Sequence, residues 1–214
     1  MGSVIPLKKE INNSYLRLKN LVGDKLDDVS KRIKFKLASE INLIHKMTDY
    51  HVKSGGKRIR PLLTLASAKL CGYKNGNRDV NLAACIELIH NATLLHDDVI
   101  DNSNLRRGIK TTNSIWGNQS SILVGDYLFS RCFEMMVEDG SQEILKLLSS
   151  TSSKIAQGEI LQLEYKGELD ILEETYFNII NSKTASLFAT ATRVGACITN
   201  KSKKEKDALE SYGK

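Results

Sequence analysis

Apolar residues recur along this chain at helical rather than strand spacing. Ile33, Leu37, Ile41 and Ile44, flanked by Phe35 and Leu43, form one such stripe, and no segment alternates apolar and polar positions for long. The pattern breaks at SGGKR (54–58), GYKNGN (72–77), NSNLRRG (102–108), EDGS (138–141) and KGELD (166–170). Between the breaks the spacing predicts helices over roughly 61–71, 79–101, 118–137, 141–165, 171–181 and 183–199. Proline occurs only at Pro6 and Pro61, and there is no internal repeat, low-complexity tract or linker. The expectation is one all-α domain over residues 1–214, a bundle of long packed helices.

Composition narrows what such a bundle can do. The 214 residues suffice for one sizeable core and are marginal for two. A net charge of +6 is mild and spread out, without the basic blocks and interleaved aromatics of a nucleic-acid binder, so anionic small ligands fit it as well. Cys71, Cys85, Cys132 and Cys197 are scattered, with no CxxC or paired-histidine spacing, and read as reduced core thiols of a cytoplasmic protein. Lys69, Asp97, Asp126 and Arg193 interrupt the apolar runs before any reaches a membrane span. The N-terminal MGSVIPLKKEI lacks the apolar core of a signal peptide.

The chemistry concentrates in LLHDDVIDNSNLRRGI (94–109). On a helix ending near Asp101, residues Glu87, His90, Leu94, Asp97 and Asp101 follow at steps of three and four and share a face. Asp97 and Asp101 then repel one another one turn apart, at the negative end of the helix dipole. A divalent cation between them removes that penalty, and oxygen-only ligands suit Mg²⁺, which keeps waters and takes phosphate oxygens as further ligands. Arg106 and Arg107 follow with guanidinium forks matched to phosphate. The combination points to a diphosphate carried partly by metal. A second anion site is offered by SGGKRIRPLL (54–63), where Lys57, Arg58 and Arg60 precede a helix that Pro61 is placed to begin. Gly55 and Gly56 permit close backbone approach, and a Walker A loop is excluded because Arg58 follows Lys57 and His51 stands where its first glycine belongs.

GGKRIRP, LIHNATLLHDDVIDNSNLRRG, NQSSILVGDYLF and SKTASLF (182–188), in this order and spacing, resemble the trans-isoprenyl diphosphate synthases, from about residue 40 to the C-terminus. Within that family the likeness is greatest to the octaprenyl diphosphate synthases of bacterial quinone synthesis. The resemblance implies an isoprenoid-synthase-type helix bundle around a central pocket. It implies that Asp97 and Asp101 bind Mg²⁺ with Asp98 in support, and that Lys57, Arg60, His90 and Arg107 hold isopentenyl diphosphate. Arg106, Lys183 and Thr184 would hold the allylic diphosphate, with farnesyl diphosphate the expected primer. Gln157, Glu159 and Gln162 would lie behind that site, His45 and His51 read as surface or packing histidines, and Met135 and Met136 as core. The family also implies a homodimer, to which the segment 120–136, apolar on more than one side, is suited.

The implied reaction is ionisation, condensation and elimination. Mg²⁺ on Asp97 and Asp101, with Arg106 and Lys183, would stabilise the leaving diphosphate, while Ile86, Ile89, Leu94 and Leu95 would wall the allylic cation from water. In the family, bulky residues four and five positions before the first aspartate stop chain growth; here they are Thr93 and Ala92, both small, so a long product, octaprenyl, is expected. Two alternatives are a metal-dependent prenyl diphosphate phosphohydrolase, suggested by His96 beside Asp97, and a non-catalytic subunit of a prenyl synthase. The family's second aspartate-rich motif does not occur in the chain. The expectation is therefore a C-terminally truncated form, nearly inactive by itself, with mobile loops around 102–115.

Overall fold

The computed structural model describes the backbone of residues 7–214 and the side chains from residue 14 onward; Pro6 and the residues before it lie outside the described part. Eleven α-helices follow in chain order: α1 (Leu7–Val22), α2 (Lys25–Lys36), α3 (Asn42–Lys53), α4 (Ile59–Leu70), α5 (Arg78–Ile100), α6 (Thr112–Trp116), α7 (Asn118–Asp139), α8 (Gln142–Glu164), α9 (Glu173–Ile180), α10 (Ser186–Ile198) and α11 (Lys203–Gly213). Two-residue strands β1 (Leu105–Arg106) and β2 (Ile109–Lys110) form an antiparallel hairpin between α5 and α6. The all-α expectation holds.

The axis of the bundle is α5. It buries twelve of its 23 residues on several sides and packs against α2, α4, α7 and α10. A helix that is apolar nearly all round belongs inside a bundle, and its position holds the aspartates at its C-terminal end fixed. On its other side α10 crosses α4 so closely that a methyl group on Gly195 would meet Ala68 N and Ser67 Oγ at 2.3 Å. Gly140, at φ 70°, ends α7 in the left-handed conformation, and the Ser141 side chain accepts from Ile144 N to start α8, where the EDGS break is predicted.

Four expectations are corrected. The stripe from Ile33 to Ile44 is two helices: Ile33 and Leu37 are buried, but the chain breaks there, Ser39 Oγ accepts from Ile41 N, and Ile41 is 61% exposed. Pro61 is the third helical residue rather than the first, because Arg58 at φ 47° caps α4; a first-turn position needs no amide donor, so proline fits there equally well. Residues 102–115 are tied down: Asn113 Nδ2 donates to Asp98 O (3.2 Å) and Ser103 O (3.3 Å), and Thr111 Oγ1 donates to Ser103 O (2.7 Å). Finally, α9 and α10 are not separated by a break but joined through a π-helical turn, Asn181–Ala185.

Candidate active site

The last two turns of α5 sort the aspartates by direction. Asp97 and Asp101 face outward toward α8 and the π turn, while Asp98 is turned inward and only 2% exposed. Asp98 takes Arg106 as a forked partner, Nε at 2.9 Å and Nη2 at 2.8 Å from Oδ1, so the hairpin that follows the helix is pinned back onto it. The expected support by Asp98 thus has a physical form: it fixes Arg106, which stands between Asp98 and the loop instead of free in a cavity.

Opposite Asp97, α8 and the π turn contribute an acid and a base. Lys183 Nζ lies 2.7 Å from Glu159 Oε2 and 3.5 Å from Asp97 Oδ2. A π turn widens the helix and re-aims its side chains, and such turns concentrate at functional positions. Gly158 makes the approach possible, since a methyl group there would stand 2.8 Å from both Lys183 N and Ser182 Cβ. Burial alone would lower the Lys183 pKa; the hydrogen bond it donates to Glu159 and the charges of Asp97, Glu159 and Asp101 outweigh it and hold it above the usual lysine value. Burial, with Asp97 nearby, holds Glu159 above the usual carboxylate range despite Lys183.

Glu159 and Lys183 belong to the polar end of a cavity of about 340 Å³, which Asp97 borders through its contact with Lys183. Asp101, Glu159, Gln162, Lys183 and Thr184 line that end, and Ile100, Leu163, Ile171, Tyr176, Ile179 and Ile180 line the rest. The cavity is amphipathic, with an acidic head that holds the half-buried Lys183 and an apolar body. Its walls differ from those expected: Ile86, Ile89 and Leu95 point into the packed core, and Leu94 is half-buried without lining the cavity. Ala92 is also wholly buried in the core, whereas Thr93, half-buried, stands one turn below Asp97 and donates to His90 O.

A second cavity, about 510 Å³, brings together Lys57, Arg58, Arg60, His90 and Arg107. All four residues expected to hold isopentenyl diphosphate are there. Arg58 (φ 47°) and Arg107 (φ 55°) adopt left-handed backbone, which non-glycine residues occupy at a cost that tertiary structure must offset and which clusters at binding sites. Gly56 leaves room for the Arg107 guanidinium, 2.8 Å from where its Cβ would be. Arg60 lies with its guanidinium carbon 4.1 Å from the Phe188 ring centre and its buried Nε without a partner. Burial, then Arg60 and Arg107, pushes the His90 pKa down to about 3, so the ring is neutral. Glu87 is the one carboxylate lining this cavity, and burial raises its pKa even beside Arg58, Arg60 and Arg107. The excess of lining cations, with one buried guanidinium nitrogen unpaired among the described residues, suits an anion.

Glu87 and Phe188 carry no assigned role in the sequence reading. Their signal was the spacing, Glu87 three residues before His90 and Phe188 four after Thr184. Glu159 was placed behind the site and instead holds Lys183 directly. Gln157 lines neither cavity. His51 is buried and His45 exposed, while His96 Nε2 donates to Ile122 O at 3.2 Å and its ring stacks on Phe129. Among the described residues no three acidic, histidine or cysteine side chains form a ready-made metal cage. That fits Mg²⁺, which binds through one or two carboxylates plus phosphate oxygens and water, and Asp97 with Asp101 supplies such a pair.

A helical bundle that sets a carboxylate-headed amphipathic cavity beside a cationic one has the architecture of the polyprenyl synthetases; residues 41–214 match that family, and the chain belongs to it. It is 41% identical over 198 residues to octaprenyl diphosphate synthase of Escherichia coli strain K12, covering 92% of this chain and 61% of that protein. Among solved structures it resembles a decaprenyl diphosphate synthase from Rhodobacter capsulatus (TM-score 0.89, 42% identity, 93% of this chain and 61% of that one). It also resembles a polyprenyl synthase from Caulobacter crescentus CB15 complexed with calcium and isoprenyl diphosphate (TM-score 0.90, 42% identity, 93% and 60%). The chain thus spans about three fifths of the length of these relatives.

Proposed function

We propose that the protein belongs to a Mg²⁺-dependent, cytoplasmic prenyltransferase that joins isopentenyl diphosphate to an allylic diphosphate, with farnesyl diphosphate as primer and octaprenyl diphosphate as product for quinone side chains. The observation that carries this is the pair of cavities along α5, a cationic one beside its middle turns and an amphipathic one at its C-terminal end. The activity is assigned to the protein at the length of its relatives, of which this chain spans 61%.

Lys57, Arg60 and Arg107 hold the diphosphate of isopentenyl diphosphate, and the neutral His90 offers it an uncharged N–H. Asp97 and Asp101 would hold Mg²⁺, which when bound supplies Lewis-acid stabilisation to the leaving diphosphate. Lys183 and Thr184 bind the same diphosphate from the π turn, and removing such a preorganised group costs a factor of about 10²–10³ in rate. Ile100, Leu163, Tyr176 and Ile179 take the prenyl chain and keep water from the allylic cation. The released diphosphate takes the final proton, so no protein base is required. Support comes from the family membership and from the names of the relatives.

The test incubates the enzyme with Mg²⁺, labelled isopentenyl diphosphate and farnesyl diphosphate and sizes the products. Elongated prenyl diphosphates are expected. Release of inorganic phosphate without a longer chain would make it a phosphohydrolase, and no turnover unless a second subunit is added would make it a non-catalytic component.

A further inference from the structure

Asp97 and Glu159 come from different helices, yet they share one cation. Among the described residues, Lys183 provides the only ammonium or guanidinium within 4.0 Å of either carboxylate. The two contacts are unequal: 2.7 Å to Glu159 is a full charge-assisted hydrogen bond, whereas 3.5 Å to Asp97 is an electrostatic contact only. Asp101, one turn along α5, has no ion-pair partner among the described residues. Around the Lys183 ammonium, three carboxylates and one cation therefore leave an excess of two negative charges.

We propose that Lys183 and the divalent ion compete for Asp97: without diphosphate the ammonium serves as the cation of Asp97, tethered by Glu159, and on loading it leaves Asp97 and turns to the allylic diphosphate. The inference rests on the reading of Asp97 as a metal ligand. Glu159 is in this scheme a positioning residue, the pivot that keeps the ammonium at the cavity while its weaker contact is given up. The flexible four-carbon stem and three rotatable donors of lysine suit such a swing, as the fixed fork of an arginine would not. The π turn and the bare Gly158 beneath it set the stem close enough to reach both carboxylates. The device has a chemical use. In an empty site the lysine offsets only part of the acidic charge and covers Asp97, and metal becomes tightly held only when diphosphate arrives to take the lysine, so both load together.

Competition predicts opposite signs for two affinities, which loss of an ordinary binding group does not. The test titrates the protein with Mn²⁺, following the free-ion EPR signal, first alone and then with methylenebisphosphonate, a diphosphate analogue with no allylic C–O bond to break. Lys183→Met is expected to bind Mn²⁺ alone about ten-fold more tightly than the unsubstituted protein, the size of a unit charge opposing a divalent ion at about 5 Å in water-like dielectric. It is expected to bind methylenebisphosphonate more weakly. In an Asp97→Asn background the Mn²⁺ gain should vanish. Lys166→Met, which removes an exposed charge from the same cavity, should change Mn²⁺ affinity by less than about two-fold because water and salt screen it. Lys183→Gln repeats the test should the methionine variant lose its helical circular dichroism. No tightening in either lysine variant, or a gain that persists with Asp97→Asn, overturns the exchange. The product-sizing assay is read separately: elongation without Mn²⁺ tightening removes the exchange alone, and the Mn²⁺ pattern without elongation removes the functional reading alone.

Discussion

Asp97 and Asp98 stand next to each other in α5, but about 100° of helix rotation separates their side chains. Asp97 keeps 14% of its side chain exposed at the cavity; Asp98 keeps 2% and is satisfied by Arg106 and the hairpin. Asp98→Asn would leave the Arg106 guanidinium against a neutral group and is expected to cost about 3 kcal/mol of stability, measured as a shift in urea midpoint. Asp97→Asn, at the cavity edge, should change stability far less while weakening divalent-ion binding. The buried histidines give the protein a pH signature. His51 is pushed down to about 4 by burial, with Arg106 and Arg107 opposing its charge and Asp98 favouring it, and His90 is pushed to about 3. Above pH 6.5 both are neutral folded or unfolded and contribute nothing. Below it the unfolded chain takes up protons that the folded protein refuses, so stability falls from pH 6.5 toward pH 4, by up to about 1.4 kcal/mol per pH unit for each ring. Urea midpoints at pH 7.5 and 5 read this directly, and His51→Leu should remove about half of the slope; an unchanged slope would place the titration elsewhere.

At the scale of the element, Gly158 governs how α8 meets the π turn. An added methyl would overlap Lys183 N and Ser182 Cβ, both on or next to backbone that cannot swing away. Gly158→Ala is therefore expected to lose about 1–3 kcal/mol and to shift Lys183 off Glu159, lowering diphosphate affinity as measured by calorimetry. The wall of α5 below Asp97 makes a different prediction. Thr93 is one turn away, about 6 Å along the axis, and a bulky residue there stands within two isoprene units of the diphosphate. Thr93→Phe should shorten the product toward farnesyl or geranylgeranyl length. Ala92→Phe is expected to shorten it as well, but Ala92 has no exposed surface, so that change should also cost about 1–3 kcal/mol. Product sizing with melting curves separates the two effects; long products from both variants would refute the wall.

Over the whole molecule, α7 has two apolar faces. Val124, Leu128, Cys132 and Met136 are buried in the core, while Leu123 (59%), Phe133 (49%) and Val137 (70%) are exposed. A single protomer gains nothing from an exposed row of this kind, and a twofold-related copy would cover it. The homodimer proposed on the family resemblance is thus expected to use this face. Light scattering at micromolar concentration should give a dimer mass, and Leu123→Glu with Val137→Glu should give a monomer. A monomer before substitution would count against the dimer.

The sequence by itself determined the helical class, five of the element breaks and which charged groups are candidates for ligand binding, because helical period, turn residues and charged motifs are local and need no partner to be read. GGKRIRP and LLHDDVIDNSNLRRG named the cationic and acidic groups from spacing and resemblance alone. Only the tertiary structure decided what each group touches. It turned Asp98 inward onto Arg106, moved Glu159 from the background into contact with Lys183, and brought Phe188 under Arg60. It also sent Ile86, Ile89 and Leu95 into the core and gave most of the apolar cavity wall to residues of α8 and α9. Those outcomes depend on which side of α5 meets α7 and which meets α8. A helix apolar on several sides carries no stripe to say so; its orientation is settled by packing against every neighbour at once.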